Sequence, residues 1–321
     1  MTISPFEELK KYHQPELERV YVHLFKMVEN HVTIIQDLGE HVFGTEGKRL
    51  RPLLVLACSK LFKDNIPEES IFLSAAVECI HTATLVHDDV LDNSDLRRGH
   101  PTAKALWGNS CSILVGDYLF SKAFEYMVAC HNMDVLSMLS KASSKICEGE
   151  VKQMQITKEM ILNKYDYFNV IDLKTASLFE SACKAGSMIV NANQTYVNAL
   201  GQFGLNLGRA FQIIDDILDY KGSKDSTGKK PGNDYMEGKI TLPIIELIER
   251  DWLFKEIFQD EKKAEFKTIQ EAMEQYNIFD ICYAKAQEYT QQALLALDII
   301  SDHPVLDILK KLPLYLQNRM F

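Results

Sequence analysis

Two short runs of aspartate set the chemistry open to this sequence. Asp88-Asp89-Val90-Leu91-Asp92 and Asp215-Asp216-Ile217-Leu218-Asp219 repeat one pattern far apart in the chain. Both lie in helical periodicity and follow apolar residues, Leu85 and Val86 in one case, Ile213 and Ile214 in the other. At about 100° per residue, positions i, i+1 and i+4 of a helix fall within an arc of roughly 100°. Each run therefore presents three carboxylates on one helix face. Like charges this close repel and resist burial unless something positive lies between them. A hard divalent cation suits that place, and Mg²⁺ takes one or two carboxylates together with phosphate oxygens and water. Two such faces could clamp a metal-bound diphosphate. A solvated acidic surface is the plain alternative for either run alone, and the recurrence in apolar settings weighs against it. The D-x-D-x-D-G spacing of a calcium-binding EF-hand is absent.

Cations accompany the carboxylates. Gly47-Lys48-Arg49-Leu50-Arg51-Pro52 opens a helix, where backbone N–H groups and basic side chains together favour an anion. Arg97-Arg98 follows the first acidic run, Lys174-Thr175 sits in a largely apolar helix, and Lys229, Lys230 and Lys239 follow the second run. A single lysine is usually only a surface charge; the placement of these beside the acidic helices is what makes them a group. Gly222–Lys230 is not a phosphate-binding P-loop, because its spacing is one residue too long and a helix precedes it instead of a strand. His81, alone on an apolar helix, is the kind of residue that is more often structural, yet it lies two turns before the first aspartates.

The elements that must position these groups read as helices. Leu17, Val20, Leu24 and Met27 recur at spacings of three to four. The same style continues through residues 51–62, 70–91, 112–130, 135–155, 167–191, 196–220 and 279–300. Several of these stretches are apolar on more than one face, as in the centre of a large bundle. No alternation of period two and no shift in composition marks a boundary, so the chain reads as one all-α domain, residues 1–321. Lys and Arg number 35 against 45 Asp and Glu, a net charge of −10, which argues against nucleic acid as a partner. Seven scattered cysteines without a CxxC pair read as reduced thiols and point to the cytoplasm. No secretory leader opens the sequence and no uncharged apolar run approaches about 18 residues, so no transmembrane segment is expected.

Five blocks in order, GKRLRP at 47–52, HTATLVHDDVLDNSDLRRG at 81–99, EGEVKQM at 148–154, KTASLF at 174–179 and GRAFQIIDDILDY at 208–220, resemble the trans-isoprenyl diphosphate synthase (polyprenyl synthetase) family over nearly the whole length. The style is most like the long-chain octaprenyl and decaprenyl synthases of quinone side chains. The resemblance implies an isoprenoid-synthase helical bundle around a central cavity. It also implies condensation of isopentenyl diphosphate with an allylic diphosphate. By this resemblance Asp88, Asp89, Asp92, Asp215, Asp216 and Asp219 bind Mg²⁺, three ions per site. Arg97, Lys174 and Lys229 hold the allylic diphosphate, with Lys239 nearby. Lys48, Arg51, His81 and Arg98 bind isopentenyl diphosphate. Thr175 and Gln212 lie near the developing cation, and Glu150 and Gln153 face inward on another helix. The family loop after the second run is one residue longer here, which leaves the role of Asp234 open.

Chain length is expected to be set one turn before Asp88. Thr84 and Ala83 are small there and Ile80 follows, where short-chain members carry aromatics, which suggests a product of about seven to ten isoprene units. A homodimer is expected, as is peripheral membrane contact during product release. The alternatives are a short-chain farnesyl or geranylgeranyl synthase and the catalytic subunit of a heteromeric synthase. A terpene cyclase would not need GKR and RRG. A helical di-iron protein would need a second copy of the Glu78-x-x-His81 spacing.

Overall fold

The computed structural model describes residues 3–45, 47–221, 231–259 and 265–317. Lys229 and Lys230 lie outside the described residues. The order is α1 (Pro5–Tyr12), α2 (Gln14–Val28), α3 (Thr33–Gly44), α4 (Leu50–Lys60), α5 (Glu68–Leu91), β1 (Leu96–Arg97), β2 (His100–Pro101), α6 (Ala103–Ala129), α7 (Met133–Glu159) and α8 (Lys164–Ile171). A π-helical turn, Asp172–Ala176, leads into α9 (Ser177–Ile189) and α10 (Gln194–Lys221). Then come α11 (Asn233–Glu237), α12 (Leu242–Arg250), α13 (Leu253–Gln259), α14 (Phe266–Gln275), α15 (Ile278–Ala296) and α16 (Pro304–Gln317). The all-α expectation holds, and each long helical stretch seen in the sequence is a helix or a helix pair.

The two acidic runs end the two central helices. α5 packs on α6, α4 and α2, and α10 on α9 and α15. α5 is apolar round most of its circumference because its sides meet other helices: Ile71, Leu73, Val77, Cys79 and Ile80 are all fully buried. By length and composition it alone among the described residues could cross a membrane, yet most of it is buried inside the bundle.

Two local features were not visible as periodicity. The helix expected from residue 112 begins at Ala103, where the Thr102 hydroxyl accepts from Ala105 N at 3.2 Å. It kinks at Gly108, whose φ of 79° and ψ of 170° are not helical. The strands β1 and β2 pair antiparallel, Leu96 with Pro101 and Arg97 with His100. Positive φ at Arg98 (52°) and Gly99 (79°) makes the tight turn between them. Two residues per strand are too few to show alternation.

His13 joins α1 to α2. It is fully buried, and neither ring nitrogen has a hydrogen-bond partner. Burial, helped by the Lys60 ammonium and His303, pushes its pKa down to about 3. The unfolded chain, with an ordinary histidine value near 6.5, binds the proton first as pH falls. This contribution to stability is therefore complete above about pH 6.5 and is lost progressively toward pH 3, by up to about 4 kcal/mol. His13→Leu should remove the loss. Its unfolding midpoint in urea, relative to the parent, should rise steadily as pH is lowered from 7 to 4; a constant difference over that range would refute the assignment.

Candidate active site

Both acidic runs open onto one cavity of about 960 Å³ between α5, α7, α10 and the segment that precedes α4. Among the described residues, every candidate named from the sequence lines it except Ala83 and Ile80. Asp234 lines it too.

The six aspartates differ in their surroundings. In each run the second residue turns sideways into the protein. Asp89 is buried and accepts from Arg97 Nε at 2.8 Å. Asp216 is buried and accepts from the Tyr167 hydroxyl at 2.6 Å and Gln212 Nε2 at 2.8 Å. Thr175 Oγ1 donates to Gln212 Oε1 at 2.8 Å, which fixes the amide. Burial, with Asp234 adding to it, pushes the Asp216 carboxyl well above its usual range, and its two donors offset part of this. Asp215, by contrast, is exposed to the cavity, and Asp88 and Asp92 are half-buried on its wall. Asp219 Oδ2 accepts the backbone N–H of Asp234 at 3.0 Å, which ties the far side of the long loop to α10.

Lys239 bridges toward the first helix. Its Nζ lies 3.1 Å from Asp92 Oδ2, 2.6 Å from Glu237 and 3.9 Å from Asp234. These carboxylates, Asp234 foremost, raise its pKa against the opposing effect of burial. An ammonium thus already sits among the acidic groups of two separate segments, where a metal would also be attracted. The donors are all carboxylate oxygens, as a hard divalent ion requires. Among the described residues no three His, Cys, Asp or Glu side chains close on one point.

Lys174 and Thr175 occupy the π-helical turn, a form that recurs at functional sites. Two glycines let it nest between helices. A Cβ on Gly149 of α7 would meet Lys174 N at 2.7 Å, and one on Gly208 of α10 would meet Ala176 Cα at 2.7 Å. Arg209 clamps the start of the turn, its Nε and Nη2 each 2.6 Å from an Asp172 oxygen. Lys174 Nζ is held by Glu150 Oε2 at 2.7 Å and Gln153 Oε1 at 2.9 Å. Burial, then the neighbouring Asp88, pushes Glu150 up to about 7.

The opposite end of the cavity is basic. Arg49 begins α4 in the left-handed region, φ 47° and ψ 39°. That conformation is costly for a side chain with a Cβ. It is held because Arg49 Nη1 donates to Glu78 Oε1 at 2.5 Å, and Nη2 to Phe43 O at 2.5 Å and Thr45 O at 3.2 Å. The turn so fixed sends Lys48 and Arg51 to the cavity wall. Arg51 Nη1 contacts His81 Nε2 at 3.0 Å. A guanidinium can only donate, so Nε2 accepts and the ring proton sits on Nδ1. Burial, then Arg51, keeps His81 well below the usual histidine range and neutral. Burial lowers Arg51 itself to about 10, Glu78 opposing and Arg98 adding to the fall. Such crowding of positive charge favours a bound anion.

The structure differs from the sequence expectation at Ala83 and Ile80. Both are fully buried in the core and neither lines the cavity; Thr84 does. Angular position explains it. At about 100° per residue Thr84 stands roughly 40° from Asp88 round the helix, whereas Ala83 stands roughly 140° and Ile80 roughly 80° away, on the side facing the core. Sequence reasoning gave no role to Arg49, Glu78 or Tyr167. Arg49 was legible as part of GKRLRP, but a lone Tyr or Glu carries no signal of its own.

The polyprenyl synthetase family model matches residues 32–276. The chain is 34% identical over 307 residues to an octaprenyl diphosphate synthase of Haemophilus influenzae, covering 94% of this chain and 93% of the relative. It is 37% identical over 281 residues to an all-trans-nonaprenyl-diphosphate synthase (geranyl-diphosphate specific) of Rhodobacter capsulatus, covering 86% of each. Among solved structures, a Caulobacter crescentus polyprenyl synthase complexed with calcium and isoprenyl diphosphate superposes with a TM-score of 0.93 at 36% identity, over 99% of this chain and 98% of that one.

The Arg49–Glu78 pair should govern the basic end. Arg49→Met leaves a buried carboxylate without its partner and should cost about 3–5 kcal/mol. Arg49→Met combined with Glu78→Met should recover most of that. Urea unfolding of both variants decides the point, and a single variant within about 1 kcal/mol of the parent would show that the pair is not the anchor.

Proposed function

Because this chain belongs to the polyprenyl synthetase family and is a trans-prenyltransferase, we propose that it lengthens an allylic diphosphate with isopentenyl diphosphate to a long-chain all-trans product. The observation that carries the reading is two aspartate-bearing helices opening on one cavity whose other end is lined by Lys48, Arg51, Arg98 and neutral His81. A cavity with acidic and basic ends can hold two diphosphates in different ways, one through metal and one through cationic side chains.

Divalent metal fits the oxygen donors of Asp88, Asp92 and Asp215; as Mg²⁺, three ions per site, it would neutralise charge that builds on the departing diphosphate. Arg97, Lys174 and Lys239 line the same end and offset that charge from the protein side; Lys229 belongs to this set by sequence. Asp89 and Asp216, buried and held by Arg97 and by Tyr167 with Gln212, fix the two helices. As the allylic C–O bond ionises, the Thr175 and Gln212 oxygens lie on the wall nearby to face the cation. Lys48, Arg51, His81 and Arg98 hold isopentenyl diphosphate with its double bond toward that carbon, so that attack is effectively intramolecular, and the cation it leaves loses a proton to the released diphosphate. Ile146, Val170, Ile171, Phe179 and Phe211 give the cavity apolar walls that keep water from the cation.

The long product is supported by Thr84, a small side chain on the wall, and by the octaprenyl and nonaprenyl products named for the relatives. We place the whole chain in one synthase domain and in the cytoplasm, in keeping with seven free cysteines. A homodimer through α6 and α7 is supported by exposed Leu106, Ile113, Leu114, Val151 and Met154. That face also suits the catalytic half of a heteromer. Light scattering of the purified chain should give twice the mass of one copy; a fully active monomer would exclude the dimer.

Mass analysis of the product from radiolabelled isopentenyl diphosphate and farnesyl diphosphate tests the reading. EDTA should abolish elongation, and Asp88→Ala or Asp215→Ala should each lower turnover at least about a hundredfold with the fold intact. Full activity in either variant would end the metal-clamp assignment. Thr84→Phe should stop growth near farnesyl or geranylgeranyl. Ala83→Phe should instead overpack the core at a cost of about 1–3 kcal/mol. A shortened product from Ala83→Phe at parental stability would mean that the tail passes behind Thr84 after all.

A further inference from the structure

α1 reaches the basic end of the cavity. Lys10 lines that cavity beside Lys48 and Arg51, and the buried Phe6 ring lies under the Lys48 ammonium, Nζ to centroid 4.9 Å. Both residues precede the part of the chain that the family model matches, residues 32–276. The C-terminal helix clamps α1 from outside. Tyr315 of α16 meets the Phe6 ring edge-on at 5.4 Å, and Lys311 Nζ lies 2.9 Å from Glu8.

From this we infer that α1 completes the isopentenyl diphosphate site: Phe6 is a positioning residue for Lys48, and Lys10 is an additional cation for the diphosphate. The inference rests on the reading of Lys48 given above. A lysine side chain has four rotatable bonds and holds no fixed geometry alone. A buried aromatic face under its ammonium restricts where the charge can lie. Lys10 now pairs with Glu7 at 3.1 Å. That contact is one turn apart on an exposed helix and is weak, so a diphosphate in the cavity draws the ammonium inward.

Kinetics of the full-length enzyme test this. Lys48→Ala is the control for the site. If it leaves the KM for isopentenyl diphosphate unchanged, the site reading itself fails and this inference falls with it. If it raises that KM, the α1 variants decide. Phe6→Leu keeps burial but loses the π face, and should raise the same KM about two- to fivefold, with kcat and the KM for the allylic substrate unchanged. Phe6→Tyr should restore the parental value. Added to Lys48→Ala, Phe6→Leu should have no further effect, which loss of packing alone would not produce. Lys10→Gln should raise the KM for isopentenyl diphosphate by a similar factor. An unchanged KM in Phe6→Leu and Lys10→Gln, an equal rise for both substrates, or an undiminished effect of Phe6→Leu on Lys48→Ala would overturn the inference. Should circular dichroism show Phe6→Leu unfolded, Lys10→Gln decides alone: a raised KM supports the inference and an unchanged one overturns it.

Discussion

Repulsion between carboxylates governs this molecule. Two helices that belong to an apolar interior end in six aspartates around one cavity, with Asp234, Glu150 and Glu237 close by. At separations of a few ångströms in a partly desolvated site, like charges oppose each other by several kcal/mol. Positive partners are therefore placed at each point of crowding. Arg97 takes Asp89, Lys174 takes Glu150, and Lys239 stands among Asp92, Asp234 and Glu237. Neutral donors serve Asp216, from Tyr167 and Gln212.

This arrangement divides each aspartate run by function. Asp89 and Asp216, buried on protein partners, fix the helix ends, while Asp88, Asp92 and Asp215 keep a face toward the cavity. The same division holds at the basic end. Arg49 is consumed by Glu78 and two carbonyls, and in that way it sets the backbone from which Lys48 and Arg51 emerge. Buried ion pairs contribute little net stability compared with apolar packing. Their effect here is geometric, since each holds a neighbouring charged group at a defined place on the wall.

Much of this was legible because charge and spacing are local. The i, i+1, i+4 aspartates, the GKRLRP start of α4 and the lysine of KTASLF each announced themselves within a few residues, and all line one cavity. What was not legible is set by contact between distant segments. Tyr167 matters because α8 brings it to 2.6 Å from Asp216. The π-helical turn exists where Gly149 and Gly208 allow close approach, which no periodicity reveals. Ala83 and Ile80 are a simpler case: distance along a helix says nothing of the angle around it, and at about 100° per residue one position separates the cavity wall at Thr84 from the core.

The π-helical turn also explains how Lys174 can serve a reaction in which charge moves quickly. A flexible lysine on an open loop would have to be ordered as substrate arrives, and that cost would be borne in the transition state. Here the backbone is wedged between two glycines and pinned by the Arg209–Asp172 fork, and the ammonium is held by Glu150 and Gln153. Its positive charge is in place before any bond breaks. Asp88, pressing on Glu150, couples that ammonium to the aspartate helix. The groups proposed to receive the diphosphate are thus parts of one network. Substitution of one member should disturb its neighbours, and the effects of single substitutions within it should not add.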